Sequence, residues 1–134
     1  MGSSDLLLDT HALLWALADA PQLTASGRRE VCDVGRTVHA SVASIWEIGI
    51  KYAIKSLDVS ADAALAYCLA TKFTMLPISS DHAVAASQLP LLHRDPFDRM
   101  LIAQALVGNM ALMTNDAKIL AYAPLLPGVR FVAI

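Results

Sequence analysis

Hydrophobic positions along the chain fall into two kinds of segment, short apolar runs and longer stretches with helical spacing. The short runs are five or six residues long and lack a strict alternation of apolar and polar positions, which is typical of strands buried on both faces. They predict strands at 5–9, 37–41, 74–78, 110–114 and 129–134. The longer stretches predict helices at 10–18, 24–34, 44–56, 60–72, 80–89, 94–109 and 116–123.

The alternation of strands with helices predicts an α/β protein. Because parallel strands are joined by crossover helices, this order favours a parallel sheet covered on both faces, an α/β sandwich. The helix at 94–109 carries the clearest boundary signals, since Asp95 is a candidate N-cap and Pro96 suits the first helical position. Gly108 and Asn109 are expected to end it. No repeat or linker divides the chain, so we predict a single domain over residues 1–134.

The composition is more apolar than is usual for a chain of this length. Hydrophobic residues make up 56% of the 134 residues, and the mean hydropathy is +0.52, against about 45–50% apolar residues in ordinary domains. This excess predicts either a mostly aliphatic interior or a large apolar face that a partner covers. The helix at 60–72 carries small and apolar residues beyond one narrow stripe, which favours a homodimer.

Charge, cysteine content and the uncharged segments indicate the cellular compartment that the sequence favours. The formal net charge of −2 gives no sign of a general basic surface for nucleic acid. Cys32 and Cys68 form no CxxC pair, which favours a reduced cytoplasmic protein over a disulfide scaffold. The longest uncharged stretch, between Arg99 and Asp116, is too short and too interrupted for a membrane span. The first residues lack the positive segment of a signal peptide. We therefore expect a cytoplasmic protein without membrane association.

Four acidic residues occur where a parallel sheet would bring them together. Asp9 ends the first predicted strand, and Asp116 follows the fourth by two positions. Glu47 and Asp98 stand near the beginnings of helices that start at the same carboxyl edge of the sheet, where ligands bind in such folds. Carboxylates from four separate segments repel one another in a partly dry cleft. A divalent cation such as Mg²⁺, which takes oxygen ligands, would relieve this repulsion.

Each of these acids also has a structural interpretation. Ser44 and Glu47 have the spacing of a capping box, and Glu47 could pair with Lys51 one turn later. Asp98 in a first helical turn would interact favourably with the helix dipole, and Asp116 could cap the helix that follows it. The acid that ends the first strand is the hardest to explain in this way, because three leucines lead directly into it.

Four segments of the chain resemble the motifs of the PIN domain, in particular those of the VapC-like toxins of bacterial toxin–antitoxin pairs. They are LLLDTHALLW, ASVASIWEIGIK, HRDPFDRMLIAQAL and LMTNDAKI, and the third is the most specific. The resemblance runs from about residue 5 to the C-terminus. It implies a three-layer α/β/α sandwich with a parallel β-sheet, and an endoribonuclease that uses clustered acids with Mg²⁺ or Mn²⁺. Matched by motif, the catalytic acids are Asp9, Glu47, Asp98 and Asp116, with Thr114 in a supporting position.

The resemblance also implies roles and partners. Asp9, Asp98 and Asp116 would hold the metal ion. Glu47 would orient or deprotonate the attacking water, or serve a second metal ion, and cleavage of RNA would leave a 5′-phosphate and a 3′-hydroxyl. A small antitoxin protein would block the cleft with an Arg or Lys side chain. Cations close in sequence to the motif acids are candidate RNA phosphate contacts: Arg94, Arg99 and Lys51.

Two other classes of function stay open. A catalytically silent PIN-like module would pair with an antitoxin or RNA without turnover, but such a module would be expected to have lost an acid. A phosphatase of the haloacid dehalogenase type needs a second Asp two residues after the first, where this chain has His11. A receiver domain needs a Lys at the end of its last strand, and the segment FVAI has none. His11 and His93 are interpreted as polar residues at the ends of elements.

Overall fold

A five-stranded parallel sheet forms the centre of residues 5–134, the part of the chain that the computed structural model describes. The strands are β1 (Asp5–Leu8), β2 (Thr37–Ser41), β3 (Thr74–Leu76), β4 (Ala111–Thr114) and β5 (Arg130–Ala133). They lie in the order β3-β2-β1-β4-β5, so the first strand is central. Leu7 of β1 is in register with His39 of β2 and Leu112 of β4. Residues 1–4, part of the segment on which the signal-peptide expectation rests, lie outside the described range.

Seven α-helices accompany these strands within residues 5–134. They are α1 (Thr10–Ala18), α2 (Ala25–Cys32), α3 (Val42–Ala53), α4 (Ala61–Ala70), α5 (Ser80–Gln88), α6 (Pro96–Gly108) and α7 (Ala117–Leu120). Helices α1 to α4 contribute to the core on one face of the sheet, and helices α5 to α7 contribute to the core on the other. The predicted three-layer α/β/α sandwich with a parallel sheet is therefore confirmed. No helix in this range is long and apolar enough to cross a membrane.

The central position of β1 explains the apolar run at residues 6–8. Leu6 and Leu8 are fully buried against the helices of one face, and Leu7 is fully buried against those of the other. Full burial of one such side chain stabilises the fold by about 1.5–3 kcal/mol relative to exposure. Both faces of β1 are thus apolar, and the next residue, Asp9, lies at the carboxyl end of the strand.

Helix α6 begins and ends where the sequence predicts. The Asp95 side chain accepts hydrogen bonds from the backbone N–H groups of Phe97 (2.9 Å) and Asp98 (3.1 Å). Asn109 ends the helix in the left-handed conformation, with φ of 53°. Asp95 is thereby the predicted N-cap, and it fixes the orientation of the first turn, which carries Asp98.

Helix α3 begins earlier than predicted. The sequence pattern predicts a start near Ser44, but the helix starts at Val42, directly after β2, with Ser41 as its N-cap. The Ser41 hydroxyl accepts a hydrogen bond of 3.0 Å from the backbone N–H of Ala43. The predicted capping box of Ser44 and Glu47 is therefore wrong, because no loop separates strand from helix, and Glu47 instead lies in the second turn.

Two prolines account for elements that are shorter than predicted. Strand β3 ends at Leu76 rather than at residue 78, because Pro77 has no N–H group to continue the ladder. Helix α7 ends at Leu120, and a 3₁₀ turn at Ala123–Leu125 follows it. Pro124 has no N–H group to donate to the Leu120 carbonyl, so the α-helix does not continue through it, and the predicted helix at 116–123 divides into these two pieces.

Candidate active site

A cleft of about 270 Å³ lies at the carboxyl edge of the sheet, beside the ends of β1 and β4. All four acids matched by motif line it, although they come from four separate segments. Its polar lining includes Asp9, Glu47, Lys51, His93, Asp98 and Asp116. The parallel topology thus brings together side chains that lie up to 107 positions apart (Asp9 to Asp116) in the sequence.

Asp9 is held rigidly at the base of the cleft. Its side chain is almost completely buried, with an exposed fraction of 3%. One carboxylate oxygen, Oδ1, accepts a hydrogen bond of 2.8 Å from the backbone N–H of Ala12, and Oδ2 accepts a short hydrogen bond from the Thr114 hydroxyl. Burial raises the pKa of Asp9, and the hydrogen bonds from Thr114 and Ala12 oppose this shift. These bonds partly compensate for the cost of burying a charge.

Thr114 connects two of the acids. While its hydroxyl donates to Asp9, the same oxygen accepts a hydrogen bond of 3.0 Å from the backbone N–H of Asp116. Asp116 caps α7 as well, since its Oδ1 accepts a hydrogen bond of 2.8 Å from the backbone N–H of Lys118. Both the capping and the cleft interpretations of Asp116 therefore have a structural basis. The fully buried Thr114 side chain lies where a supporting residue was expected.

Glu47 is buried and held through both carboxylate oxygens. The Thr10 hydroxyl donates a hydrogen bond of 2.6 Å to Oε1, and the Lys51 ammonium group lies 3.3 Å from Oε2. The Thr10 oxygen also lies 2.9 Å from the Ser44 hydroxyl, so Ser44 supports Glu47 indirectly and not through a capping box. The expected pairing of Glu47 with Lys51, one turn later on α3, is confirmed.

Asp98 contacts a histidine. Its Oδ2 lies 2.7 Å from Nε2 of His93, and only 16% of the Asp98 side chain and 11% of the His93 side chain are exposed. Burial raises the pKa of Asp98 from 3.8 to about 6, and the hydrogen bond with His93 opposes this shift. The negative charges of Asp95 and Glu47 raise the pKa further. Without a cation, the ionised carboxylate is therefore destabilised in this cleft.

The donor atoms suit a divalent metal ion. One ligand atom from each of His93, Asp98 and Asp116 lies within 4.8 Å of the other two. Asp9 lies in the same cleft, and the charge of Asp116 contributes to its raised pKa. Several carboxylate oxygens around one space form the kind of donor set that Mg²⁺ and Mn²⁺ take.

Sequence reasoning did not assign His93 to the site. It interprets His93 as a polar residue at the end of an element, whereas the imidazole lines the cleft and contacts Asp98. The spacing holds a usable signal, since His93 precedes the Asp95 cap by two residues and Asp98 follows that cap by three. The loop before α6 brings the two side chains together. Lys118, a second cation of the cleft, was also missed.

The three cations predicted to contact RNA phosphates have different surroundings in the structure. Lys51 lines the cleft, and Arg94 is exposed. Arg99 lies elsewhere, because its guanidinium group makes five hydrogen bonds away from the cleft. The acceptors are the backbone carbonyls of Ala86, Leu89, Pro90 and His93 and the hydroxyl of Tyr122. Its donors are thus bonded to α5, the loop before α6 and Tyr122, away from the cleft in which Lys51 lies.

Comparison with solved structures shows that the fold is shared with chains of VapBC complexes. VapBC2 from Rickettsia felis, bound to a promoter DNA fragment, matches with a TM-score of 0.69 and 15% identity, over 96% of this chain and 98% of that chain. DNA-bound VapBC from Salmonella typhimurium matches with a TM-score of 0.65 and 17% identity, over 99% and 98%. VapBC-5 from Mycobacterium tuberculosis, a member of the VapBC family of toxin–antitoxin systems, matches with a TM-score of 0.64 and 17% identity, over 98% of this chain and 99% of that chain.

The family comparison covers most of the chain. Among curated proteins, no relative matches it. The PIN domain model matches residues 6–124, a range that contains the four acids matched by motif and the residues that support them. The chain therefore belongs to the PIN domain family.

Proposed function

We propose that this protein is a metal-dependent endoribonuclease and the toxin of a toxin–antitoxin pair. The observation that carries the proposal is the meeting of Asp9, Glu47, Asp98 and Asp116 in one cleft. Membership of the PIN family and the fold shared with VapBC chains support it. The fold determines where the cleft lies, and the carboxylates that line the cleft support metal-dependent hydrolysis.

Asp9, Asp98 and Asp116 would hold the ion, which we propose to be Mg²⁺ or Mn²⁺. A bound ion supplies charge stabilisation at the phosphoryl oxygen and lowers the pKa of a bound water. Thr114 keeps two of the ligands in place, since its hydroxyl contacts the Asp9 carboxylate and the Asp116 backbone. The raised pKa values of Asp9 and Asp98 support this assignment, because a cation would remove the penalty of burying these charges.

Glu47 would act on the water that attacks the phosphodiester. Thr10 and Lys51 fix its two oxygens, so the carboxylate keeps one orientation in the cleft. From there it would orient the water and take up its proton, as a general base does. Attack at phosphorus with the 3′-oxygen leaving would give a 5′-phosphate and a 3′-hydroxyl. No nucleophilic side chain is needed for this reaction.

RNA binding would depend on local cations rather than on net charge. Lys51 and Lys118 line the cleft among the acids, and Arg94 is exposed on the adjacent loop. These residues are our candidates for contacts with the phosphates on either side of the bond that is cut. A bound divalent ion would add positive charge at the centre of this surface.

The partners we propose follow from the apolar surface and the open acidic cleft. Helices α3 and α4 expose large apolar side chains, among them Trp46 (63%), Tyr67 (56%) and Leu69 (58%). We expect a second copy of the chain and a small antitoxin to cover surfaces of this kind, with an antitoxin Arg or Lys in the cleft. The proposed setting is the cytoplasm, where both free cysteines stay reduced.

The decisive experiment is cleavage of labelled structured RNAs with Mg²⁺ or Mn²⁺. We expect the wild-type protein to cut, EDTA to stop the reaction, and Asp98→Asn to be inactive. Asp62→Asn is the matched control, because Asp62 is also an acid in the first turn of a helix but is exposed on α4. Binding of RNA without cleavage would instead favour the catalytically silent module. Cleavage by Asp98→Asn at the wild-type rate would refute the proposed site.

A further inference from the structure

The cleft holds a nitrogen donor among its carboxylates. We propose that His93 is a ligand of the metal ion and gives the site a preference for Mn²⁺ over Mg²⁺. This inference rests on the proposed function of the cleft as a metal centre, and it adds a residue to the acids that the motifs assign.

The distances on which the proposal rests are short. Nε2 of His93 lies 2.7 Å from Oδ2 of Asp98, and the donor atoms of His93, Asp98 and Asp116 all lie within 4.8 Å of one another. Ligands on opposite sides of an octahedral ion with bonds of about 2.1 Å are about 4.2 Å apart. Adjacent ligands of such an ion are about 3 Å apart, so the three donor atoms lie close to the separations that one ion requires. No other group of three His, Cys, Asp or Glu side chains within residues 5–134 comes as close.

The backbone of His93 is fixed from two sides. Its N–H donates a hydrogen bond of 3.1 Å to the Tyr122 hydroxyl, and its carbonyl accepts one of 3.2 Å from Arg99. Tyr122 is itself fully buried and donates a hydrogen bond of 2.6 Å to the Pro90 carbonyl. A side chain on this loop therefore keeps its position relative to α6 and Asp98. Such support around a ligand is what metal sites require.

The chemistry of the donor set favours Mn²⁺ over Mg²⁺. Mg²⁺ takes oxygen ligands and keeps several of its waters. First-row transition ions, of which Mn²⁺ is one, also bind sites that mix nitrogen and oxygen donors. An imidazole nitrogen beside two carboxylates is a mixed site. A cleft with carboxylate ligands alone would lack the nitrogen donor that distinguishes Mn²⁺ from Mg²⁺.

The competing role for His93 is a hydrogen bond that only orients Asp98. Both roles predict that loss of the imidazole lowers metal affinity, so activity alone does not separate them. Electron spin echo envelope modulation of bound Mn²⁺ does, because a directly bound imidazole couples its ¹⁴N nucleus to the electron spin. This readout needs no RNA and no turnover.

The experiment compares Mn²⁺ complexes of wild type, His93→Gln and His11→Gln. Gln retains an N–H donor for Asp98 but has no imidazole. His11 is the matched control, since it also lines the cleft but is exposed and stacks on Trp15, with ring centroids 5.9 Å apart. We expect ¹⁴N modulation in wild type and His11→Gln and its loss in His93→Gln. Modulation that persists in His93→Gln, or that is lost only in His11→Gln, would overturn the proposal.

Calorimetric titration completes the test. We expect His93→Gln to weaken Mn²⁺ binding roughly tenfold and Mg²⁺ binding by clearly less. Equal losses for both ions would refute the claim of selectivity. If wild type binds Mn²⁺ through Asp98 without ¹⁴N modulation, this inference fails and the proposed function stands. If wild type binds neither ion, or Asp98→Asn binds as well as wild type, the proposed function itself fails. Circular dichroism and thermal unfolding show whether each variant is folded.

Discussion

Replacing Asp98 with Asn tests the electrostatic account of the cleft. The Asp98 pKa rises from 3.8 to about 6 through burial, so the ionised carboxylate destabilises the metal-free fold above pH 6. This difference between the two pKa values corresponds to about 3 kcal/mol in the free energy of unfolding. Solvent at the open side of the cleft reduces this contribution to about 1–2 kcal/mol. The lost interaction of the charge with the N-terminus of α6 subtracts about 0.3–1 kcal/mol. We therefore expect Asp98→Asn to stabilise the metal-free protein by about 1 kcal/mol, or about 3 °C in Tm.

The sign of the pH dependence follows from the raised pKa. As the pH falls from above 6 towards 3.8, the native carboxyl group binds a proton before the unfolded one does, so wild type gains stability relative to Asp98→Asn. The advantage of the variant should therefore be full at pH 7.5 and absent near pH 4. Thermal unfolding in EDTA at these two pH values measures it.

Thermal unfolding with added Mn²⁺ tests whether Asp98 binds the metal ion. An ion that binds only the native state stabilises it by RT ln(1 + [L]/Kd), about 2.7 kcal/mol when the concentration is 100 times Kd. We expect excess Mn²⁺ to raise the Tm of wild type clearly and that of Asp98→Asn much less. If the metal-induced shift is equal in both proteins, Asp98 does not bind the ion. If the variant is not more stable in EDTA at pH 7.5, the proposed destabilisation of the fold by the buried Asp98 carboxylate is wrong.

Three further variants test residues in the cleft and next to it. Thr114→Val should cost about 1–3 kcal/mol in urea unfolding and reduce RNA cleavage, because the hydroxyl bound to Asp9 is lost; unchanged stability would contradict this. Arg99→Met should cost about 3 kcal/mol in the same assay, since several partly buried carbonyls lose their charged donor, and a change under 1 kcal/mol would contradict it. Double substitution of Lys51 and Lys118 by Gln should weaken RNA binding and lower its salt slope by about 1–2, measured by fluorescence anisotropy at several salt concentrations. An unchanged slope would exclude these two lysines as phosphate contacts.

The sequence by itself was sufficient for the architecture and for the acids of the cleft. Apolar runs without alternation identify buried parallel strands, because both faces of such strands meet helices. Parallel strands place their carboxyl ends at one edge, so Asp9 and Asp116, which follow β1 and β4, are expected at the same edge, and the neighbouring positions of β1 and β4 in the sheet bring them into one cleft. The N-cap at Asp95 was also predictable, because capping depends on residues within one turn.

Only the tertiary structure decided how several of these residues are used. Arg99 is close to the acids in sequence, but its acceptors are carbonyls on α5 and the loop after it, and Tyr122 lies 23 positions away. Glu47 is held by Thr10 of another helix, a contact across 37 positions that no local pattern contains. His93 reaches Asp98 because a loop tied by long-range bonds turns it into the cleft. Local patterns determine secondary structure through backbone geometry, whereas the partner of a charged side chain depends on which distant segments the packed core brings next to it.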